Sequence, residues 1–257
     1  LKQFFHNLHQ PHPALLASFA DRLIRFFLEN DLLLCEINPF VVVNNEIIIL
    51  DAKIEIDDNS AFRHKEIFSK YDTQAYQLTD RERSARLIDA DDYRGVSGKS
   101  YLDLSGDIAV LASGGGASLV ALDILIDSGG QPANYVEYSG NPPKEKVKKL
   151  AQIVLSKSNL SGCWIVGGVA NFTDIHETLQ GIGEAILEQD QLPRYPIVIR
   201  RAGPNDDKAK AYIEELRAKY QLDIHFFDEQ TSICQSAEEM IKRSREFREK
   251  TPPWPSS

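Results

Sequence analysis

Sulfur is scarce in this chain: three cysteines, Cys35, Cys163 and Cys234, and one methionine in 257 residues. An odd, scattered set of cysteines in apolar surroundings excludes a disulfide framework and a cysteine metal cluster. It reads as buried thiols in a reducing, cytoplasmic setting. Basic charge is short too. Lys and Arg number 29 against 38 Asp and Glu, a net −9, and nucleic acid as main partner is excluded because phosphate binding needs a concentrated basic surface. A small anion held by one or two arginines remains open. No apolar run is long enough to span a bilayer and no secretory signal is present, so no membrane partner is expected. An initiator methionine is also missing: the chain begins at Leu1 inside ordinary domain sequence, and a preceding segment is expected.

What is there suffices for a core in more than one domain, since 42% of the residues are hydrophobic. From Pro13 to Glu29, Leu15, Phe19, Leu23, Phe26 and Phe27 recur at helical spacing. Two apolar runs follow, Leu32 to Val43 and Ile47 to Ile56, and Asn44-Asn45 between them suits a two-residue hairpin turn. Residues 61–104 are polar and weakly periodic and read as a linker, with helix over Phe68 to Gln77 and Glu82 to Ile88. Residues 105–246 then alternate. Strands are expected at Ile108–Ala112, Asn134–Glu137, Cys163–Val166, Ile197–Arg200 and Ile224–Phe227. Helices are expected at Ala117–Ser128, Lys144–Ser156, Asp174–Glu188, Asp206–Tyr220 and Ser232–Glu246. Five such units imply an α/β fold, a doubly wound parallel sheet of flavodoxin-like size. The proline-bearing end, 247–257, reads as a disordered tail.

A turn at Asn44-Asn45 pairs Val43 with Glu46, and the same register sets Asn38 opposite Asp51 and Glu36 opposite Lys53. All four then share one face. An amide oxygen and a carboxylate about 5 Å apart can reach one Mg²⁺. The same pattern also describes an ordinary solvent-facing hairpin, and Pro39 could shift the register through a bulge.

Four expected strand ends carry unusual loops: Ser113-Gly114-Gly115-Gly116-Ala117-Ser118, Tyr138-Ser139-Gly140, Gly167 through Thr173, and Arg200-Arg201-Ala202-Gly203-Pro204-Asn205. In a doubly wound sheet all four fall at the carboxyl edge, where ligands bind. Glycines let backbone N–H groups approach an anion, helix starts add free donors, and Arg201 offers a planar fork for a carboxylate. Taken singly, each loop is equally a plain βα turn, with Asn171 capping a helix. No Gly-Lys-Ser/Thr follows Gly116, so this is not a Walker-type loop.

The residues Glu36-Ile37-Asn38-Pro39-Phe40, Leu50-Asp51-Ala52-Lys53 and Ala61-Phe62-Arg63 resemble the end of the ATP-grasp domain in acyl-CoA synthetases. The loops Gly-Gly-Gly-Ala-Ser, Tyr-Ser-Gly, Ala-Asn-Phe-Thr and Arg-Arg-Ala-Gly-Pro-Asn resemble the ATP-citrate lyase branch of that superfamily. The resemblance runs from about Leu34 to Met240. It implies that residues 1–60 close an ATP-grasp domain and that 105–246 bind citrate. It implies Mg²⁺ at Asn38 and Asp51, and a catalytic Glu36 that meets a phosphohistidine. Citrate would be bound by Asn171, Thr173 and Arg201, with Gly116, Ala117, Ser118 and Gly168 lining the pocket. The implied reaction uses ATP and coenzyme A, by way of phosphohistidine and citryl phosphate, to make citryl-CoA. A lyase module cleaves that product to acetyl-CoA and oxaloacetate. None of His6, His9, His12, His64, His176 and His225 sits in a phosphohistidine-type loop. A partner subunit or half with that histidine and the CoA site, an upstream ATP-grasp half and a hetero-oligomer are therefore expected. The alternatives are a succinyl-CoA synthetase β subunit and a non-catalytic acid-binding module derived from the family.

Overall fold

The computed structural model describes residues 1–7, 9, 11–70, 78–89 and 94–251. The chain divides into two compact units, Leu1–Tyr76 and Gln77–Ser257.

In the first unit, helices α1 (Lys2–Asn7) and α2 (Pro13–Glu29) precede four short strands, β1 (Leu32–Ile37), β2 (Phe40–Val43), β3 (Glu46–Ile49) and β4 (Ala52–Ile56). Both turn residues, Asn44 and Asn45, take positive φ, a conformation asparagine tolerates well. Val43 pairs with Glu46 and Phe40 with Ile49. Beyond Pro39 the count is unchanged, with Ile37 opposite Ala52 and Glu36 opposite Lys53. Pro39 interrupts the ladder without shifting it; the irregularity lies lower, between Leu32 and Leu34. Helix α3 (Lys65–Lys70) follows, and residues 71–77 of the expected 68–77 helix lie outside the described residues.

The second unit begins with α4 (Asp80–Leu87), started by a capping box in which the Thr79 hydroxyl accepts from Glu82 N and the Glu82 carboxylate accepts from Thr79 N. Residues 79–89 and 94–103, expected within a linker, fold against this unit, because their polar groups find partners there. Arg81 pairs with Asp103 at 3.0 Å. Lys146 meets Asp89 at 3.0 Å, both side chains more than nine-tenths buried. The remaining elements are β5 (Leu102–Asp103), β6 (Ile108–Ser113), α5 (Gly115–Asp127), β7 (Asn134–Tyr135), β8 (Glu137–Tyr138), α6 (Lys144–Leu155) and β9 (Gly162–Val169). After them come α7 (Ile175–Leu187), β10 (Ile197–Ala202), α8 (Asp206–Tyr220), β11 (Ile224–Phe227) and α9 (Ile233–Lys250).

Strands β8, β6, β9, β10 and β11 form one parallel sheet in that spatial order. Its central strands are buried on both faces, which is why they read as unbroken apolar runs. Ile108, Val110, Trp164 and Val198 pack with α5 and α9; Ala109, Leu111, Ile165 and Ile199 pack with α6, α7 and α8. The strand expected over Asn134–Glu137 is split in two. Across the break, buried Asn134 stands in for a strand partner, its amide accepting from Val110 N at 3.0 Å and donating to Val110 O at 2.9 Å. Helix α9 continues through Lys250, past the expected boundary at 246. A Ser232 capping box starts it, and Arg248 and Lys250 suit its last turn. Residues 252–257 of the expected tail lie outside the described residues. Among the described residues no helix is long and apolar enough to cross a membrane. All three cysteines are free. Cys163 is buried, and burial pushes its thiol up to about 12. Cys35 is half-buried, and Cys234 is exposed, against the expectation of a buried thiol, because it starts α9 on the surface.

Candidate functional site

The chain order of the sheet strands puts the connections from β6 and β9 on opposite faces, so the topological switch point, where ligands bind in such sheets, lies between these neighbours at their carboxyl ends. Four loops meet there. Ser113 pairs with Gly167 and with Tyr138, and Gly114 N donates to Tyr138 O at 3.3 Å. Ala170 N donates to Ala202 O, and Ile175 N to Pro204 O, both at 2.9 Å. Asn205 donates to Asp174 at 2.7 Å, and Asp174 N donates to Asn141 Oδ1 at 2.9 Å. The four expected strand ends are therefore one continuous surface.

Gly116, Ala117 and Ser118 lie in the first turn of α5, which starts at Gly115 behind a Gly114 at φ 92°. Gly115 and Gly116 are exposed, and a Cβ at Gly116 would meet nothing within 4 Å. The Ser118 hydroxyl donates to Gly115 O at 2.6 Å and lies 2.9 Å from the Tyr135 hydroxyl, so it is engaged within the protein. Gly168, next to last in β9, has open space where a side chain would stand. Thr173 is buried and Asn171 is exposed. Asp174, not Asn171, caps α7, its carboxylate accepting from Glu177 N at 2.9 Å. Asn171 is thereby spared the cap role that its sequence also allowed.

Arg200 and Arg201 follow one another on β10 and so point to opposite faces of the sheet. Arg200 is satisfied by backbone carbonyls: Thr231 O at 2.9 Å, Gly167 O at 2.7 Å and Glu229 O at 3.4 Å. Burial, together with the neighbouring Arg201 charge, lowers its pKa. Arg201 is 1% exposed, yet its Nε and Nη2 have no hydrogen-bond partner among the described residues. A buried guanidinium in that condition is costly unless an anion meets it. Its path is built by a bulge. Between Arg200–Val166 and Ala202–Val169, β9 has one residue more than β10, and the extra stretch is Gly167-Gly168. A Cβ at Gly167 would stand 1.8 Å from Arg201 Nη1, so the guanidinium crosses β9 where there is no side chain. It ends over the Tyr138 ring, 5.8 Å from its centroid. Gly167 and Tyr138 fell within loops the sequence marked, yet neither stood out as a site residue. The Gly-Gly pair at a strand end opposite an arginine was the available signal.

In the first unit Asn38 N donates to Asp51 O at 3.2 Å, Asn38 Nδ2 to Glu36 Oε1 at 3.5 Å, and Ala52 N to Asp51 Oδ1 at 2.9 Å. Glu36, Asn38 and Asp51 are brought together and exposed. Among the described residues no group of three or more His, Cys, Asp or Glu could hold a metal ion. One amide and one carboxylate suit an ion that takes its other ligands from water and phosphate. A cavity of about 430 Å³ is lined by Arg81, Leu87, Ile88, Lys149 and Ile153 among others, and contains none of the expected site residues.

A family model described as ATP citrate lyase citrate-binding matches residues 77–243. The structure is similar to that of ATP citrate lyase from Methanothrix soehngenii in complex with citrate and coenzyme A. That match has a TM-score of 0.78 and 26% identity, over 90% of this chain and 59% of the other. It is also similar to a Methanosaeta concilii ATP citrate lyase variant in complex with (3S)-citryl-CoA, with a TM-score of 0.79, 26% identity, and 90% and 60% coverage. Curated relatives include the β subunits of ADP-forming succinate–CoA ligase from Dichelobacter nodosus, 32% identical over 203 residues, and Chloroflexus aurantiacus, 34% identical over 203. The matches cover 78% and 77% of this chain but 48% and 49% of those proteins, so the chain spans about half the length of the curated relatives it matches. The chain belongs to the ATP citrate lyase citrate-binding family, within the superfamily that also holds the succinyl-CoA synthetase β subunits.

Proposed function

We propose that this chain supplies the acid-binding part of an ATP-dependent citrate–CoA ligase, with a flavodoxin-like second unit that holds citrate and a first unit that ends an ATP-grasp domain. The observation that carries this reading is Arg201, buried at the carboxyl edge with two donors free. Its fork matches a carboxylate, and the unpaired N–H groups at the start of α5 face the same edge. Asn171 and Thr173 add neutral polar groups suited to a second carboxylate and a hydroxyl. Gly116 and Gly168 leave room for the ligand. Fixing the acid this way lowers the entropic cost of attack by its carboxylate oxygen on a phosphoryl group. The α5 start can stabilise charge on that group in transit.

The phosphoryl donor is a histidine of a partner subunit or half, which also holds coenzyme A. In this reading Glu36 meets that histidine. Mg²⁺ fits Asn38 Oδ1 and the Asp51 carboxylate, and when bound with ATP it neutralises phosphate charge. Displacement of phosphate by coenzyme A yields citryl-CoA. The identity to succinate–CoA ligase β subunits favours a second reading, in which the same arginine takes succinate.

Calorimetric titration with citrate and succinate tests both. Citrate is expected to bind in preference, and Arg201→Ala to weaken it about 100-fold, the loss of two charge-assisted hydrogen bonds. Unchanged citrate affinity in that variant sinks the assignment; a succinate preference selects the second reading.

A further inference from the structure

Tyr138 closes β8 as one of the largest fully buried side chains in the molecule. Among the described residues its hydroxyl has no hydrogen-bond partner, nor do Nε and Nη2 of Arg201. The two side chains therefore meet without a hydrogen bond between those atoms, guanidinium over ring, with 5.8 Å from Arg201 Cζ to the centroid. Burial pushes the phenol up, against the pull of the Arg201 charge. The ring is thus neutral at ordinary pH and acts through its negative face, an attraction that strengthens when water is excluded. On the other side the missing Cβ of Gly167 opens the space that Nη1 fills. A long arginine side chain otherwise samples many rotamers, and ordering it at the moment of binding weakens affinity.

We propose that Tyr138 is a positioning residue: its ring face and the gap at Gly167 form a slot that holds Arg201 with two donors directed at a carboxylate. This rests on the reading that Arg201 receives the acid substrate, and it adds a residue whose part is played through Arg201.

The test compares Tyr138→Phe, which keeps the ring, with Tyr138→Leu and Tyr138→Met, which remove it. Met fills the space should Leu fail to fold. Two readouts are taken on the full chain. Citrate affinity by calorimetry is expected to stay within about twofold in the Phe variant and to fall about tenfold in the ringless ones. In ¹⁵N-arginine-labelled protein, the Arg201 Hε signal is identified by its loss in Arg201→Lys. It is expected at a ring-shifted position in the parent and the Phe variant, and displaced in the ringless variants. A ringless variant that is folded, binds citrate like the parent and leaves that signal in place overturns the slot. If Arg201→Ala binds citrate normally while the signal still moves in the ringless variants, the acid-binding reading fails and the slot stands.

Discussion

Gly167→Ala isolates the geometry on which the site depends. The new Cβ would lie 1.8 Å from Arg201 Nη1, and 3.0 Å from both Arg201 Cζ and the carbonyl oxygen of Ser113 on the neighbouring strand. Ordinary contact begins near 3.4 Å, so the guanidinium must retreat by roughly 1.6 Å. The Ser113 carbonyl belongs to a central strand and has little freedom to move aside. The strain in the free protein should stay near 1–3 kcal/mol, typical of one added methyl group in a packed interior. Binding should suffer more. A retreat of that size breaks the alignment of two charge-assisted hydrogen bonds worth about 1.5–3 kcal/mol each, which puts the affinity loss for citrate at about 100-fold or above. Gly168→Ala is the internal control for the free protein, since its Cβ meets nothing within 4 Å, and its stability should match the parent within about 0.5 kcal/mol. The assays are chemical denaturation for the fold and calorimetric titration for citrate. A folded Gly167→Ala variant that binds citrate within about threefold of the parent would refute the crossing of β9 by Arg201 as the basis of the site.

The buried Asp89–Lys146 pair gives a pH-dependent test. Burial pushes the Asp89 carboxyl up, but donations from Gly98 N, Lys146 and Ser97 N outweigh it and hold it below the usual carboxylate range. Its contribution is then complete above about pH 4 and is lost as pH falls through the lower folded value. Asp89→Asn should cost about 1.5–3 kcal/mol at neutral pH by removing the carboxylate that accepts from the buried Lys146 ammonium, and flatten the acid limb. Parallel stability–pH curves for parent and variant refute this. In the enzyme reassembled with its partner segments, Asp51→Asn should raise the Mg²⁺ needed for half-maximal phosphorylation of the partner histidine about tenfold. An unchanged Mg²⁺ dependence removes Asp51 from the metal site.

Period and turn chemistry carried most of the fold because they are local. The five parallel strands and their helices could be read from apolar runs such as Ile197–Ile199 alternating with amphipathic segments. The hairpin register followed from one turn, and Glu36 indeed faces Lys53. What escaped was set by partners far away in sequence. The segment around Thr79–Asp103 looked solvated because its residues are charged, yet Asp89 and Asp103 meet Lys146 and Arg81. No window of sequence contains the first of those pairings, since its members stand 57 residues apart. The split between β7 and β8 had the same origin, with the Asn134 amide replacing a ladder bond. At the site, sequence singled out Arg201 at the right edge, but not that Arg200 beside it would be held by backbone carbonyls while Arg201 keeps unmet donors.

That last distinction follows from the sheet itself. Consecutive residues on a strand face opposite ways, so Arg200 and Arg201 meet different loops despite equal charge. The loop after β11 turns its carbonyls toward Arg200, and Thr231 O, Glu229 O and Gly167 O absorb its donors. Across the sheet Arg201 meets a glycine and an aromatic ring, which give it space and a face but no acceptor for Nε or Nη2. For stability alone that arrangement is poor, because a buried guanidinium with unmet donors costs several times what one hydrogen bond returns. A sequence under selection for folding alone would place a leucine or methionine there. Departures from local consistency of this kind concentrate at functional positions. Here the departure coincides with the edge where four loops converge, so the pair divides into one arginine that tethers the β11–α9 loop and one whose unmet donors carry the proposed anion site.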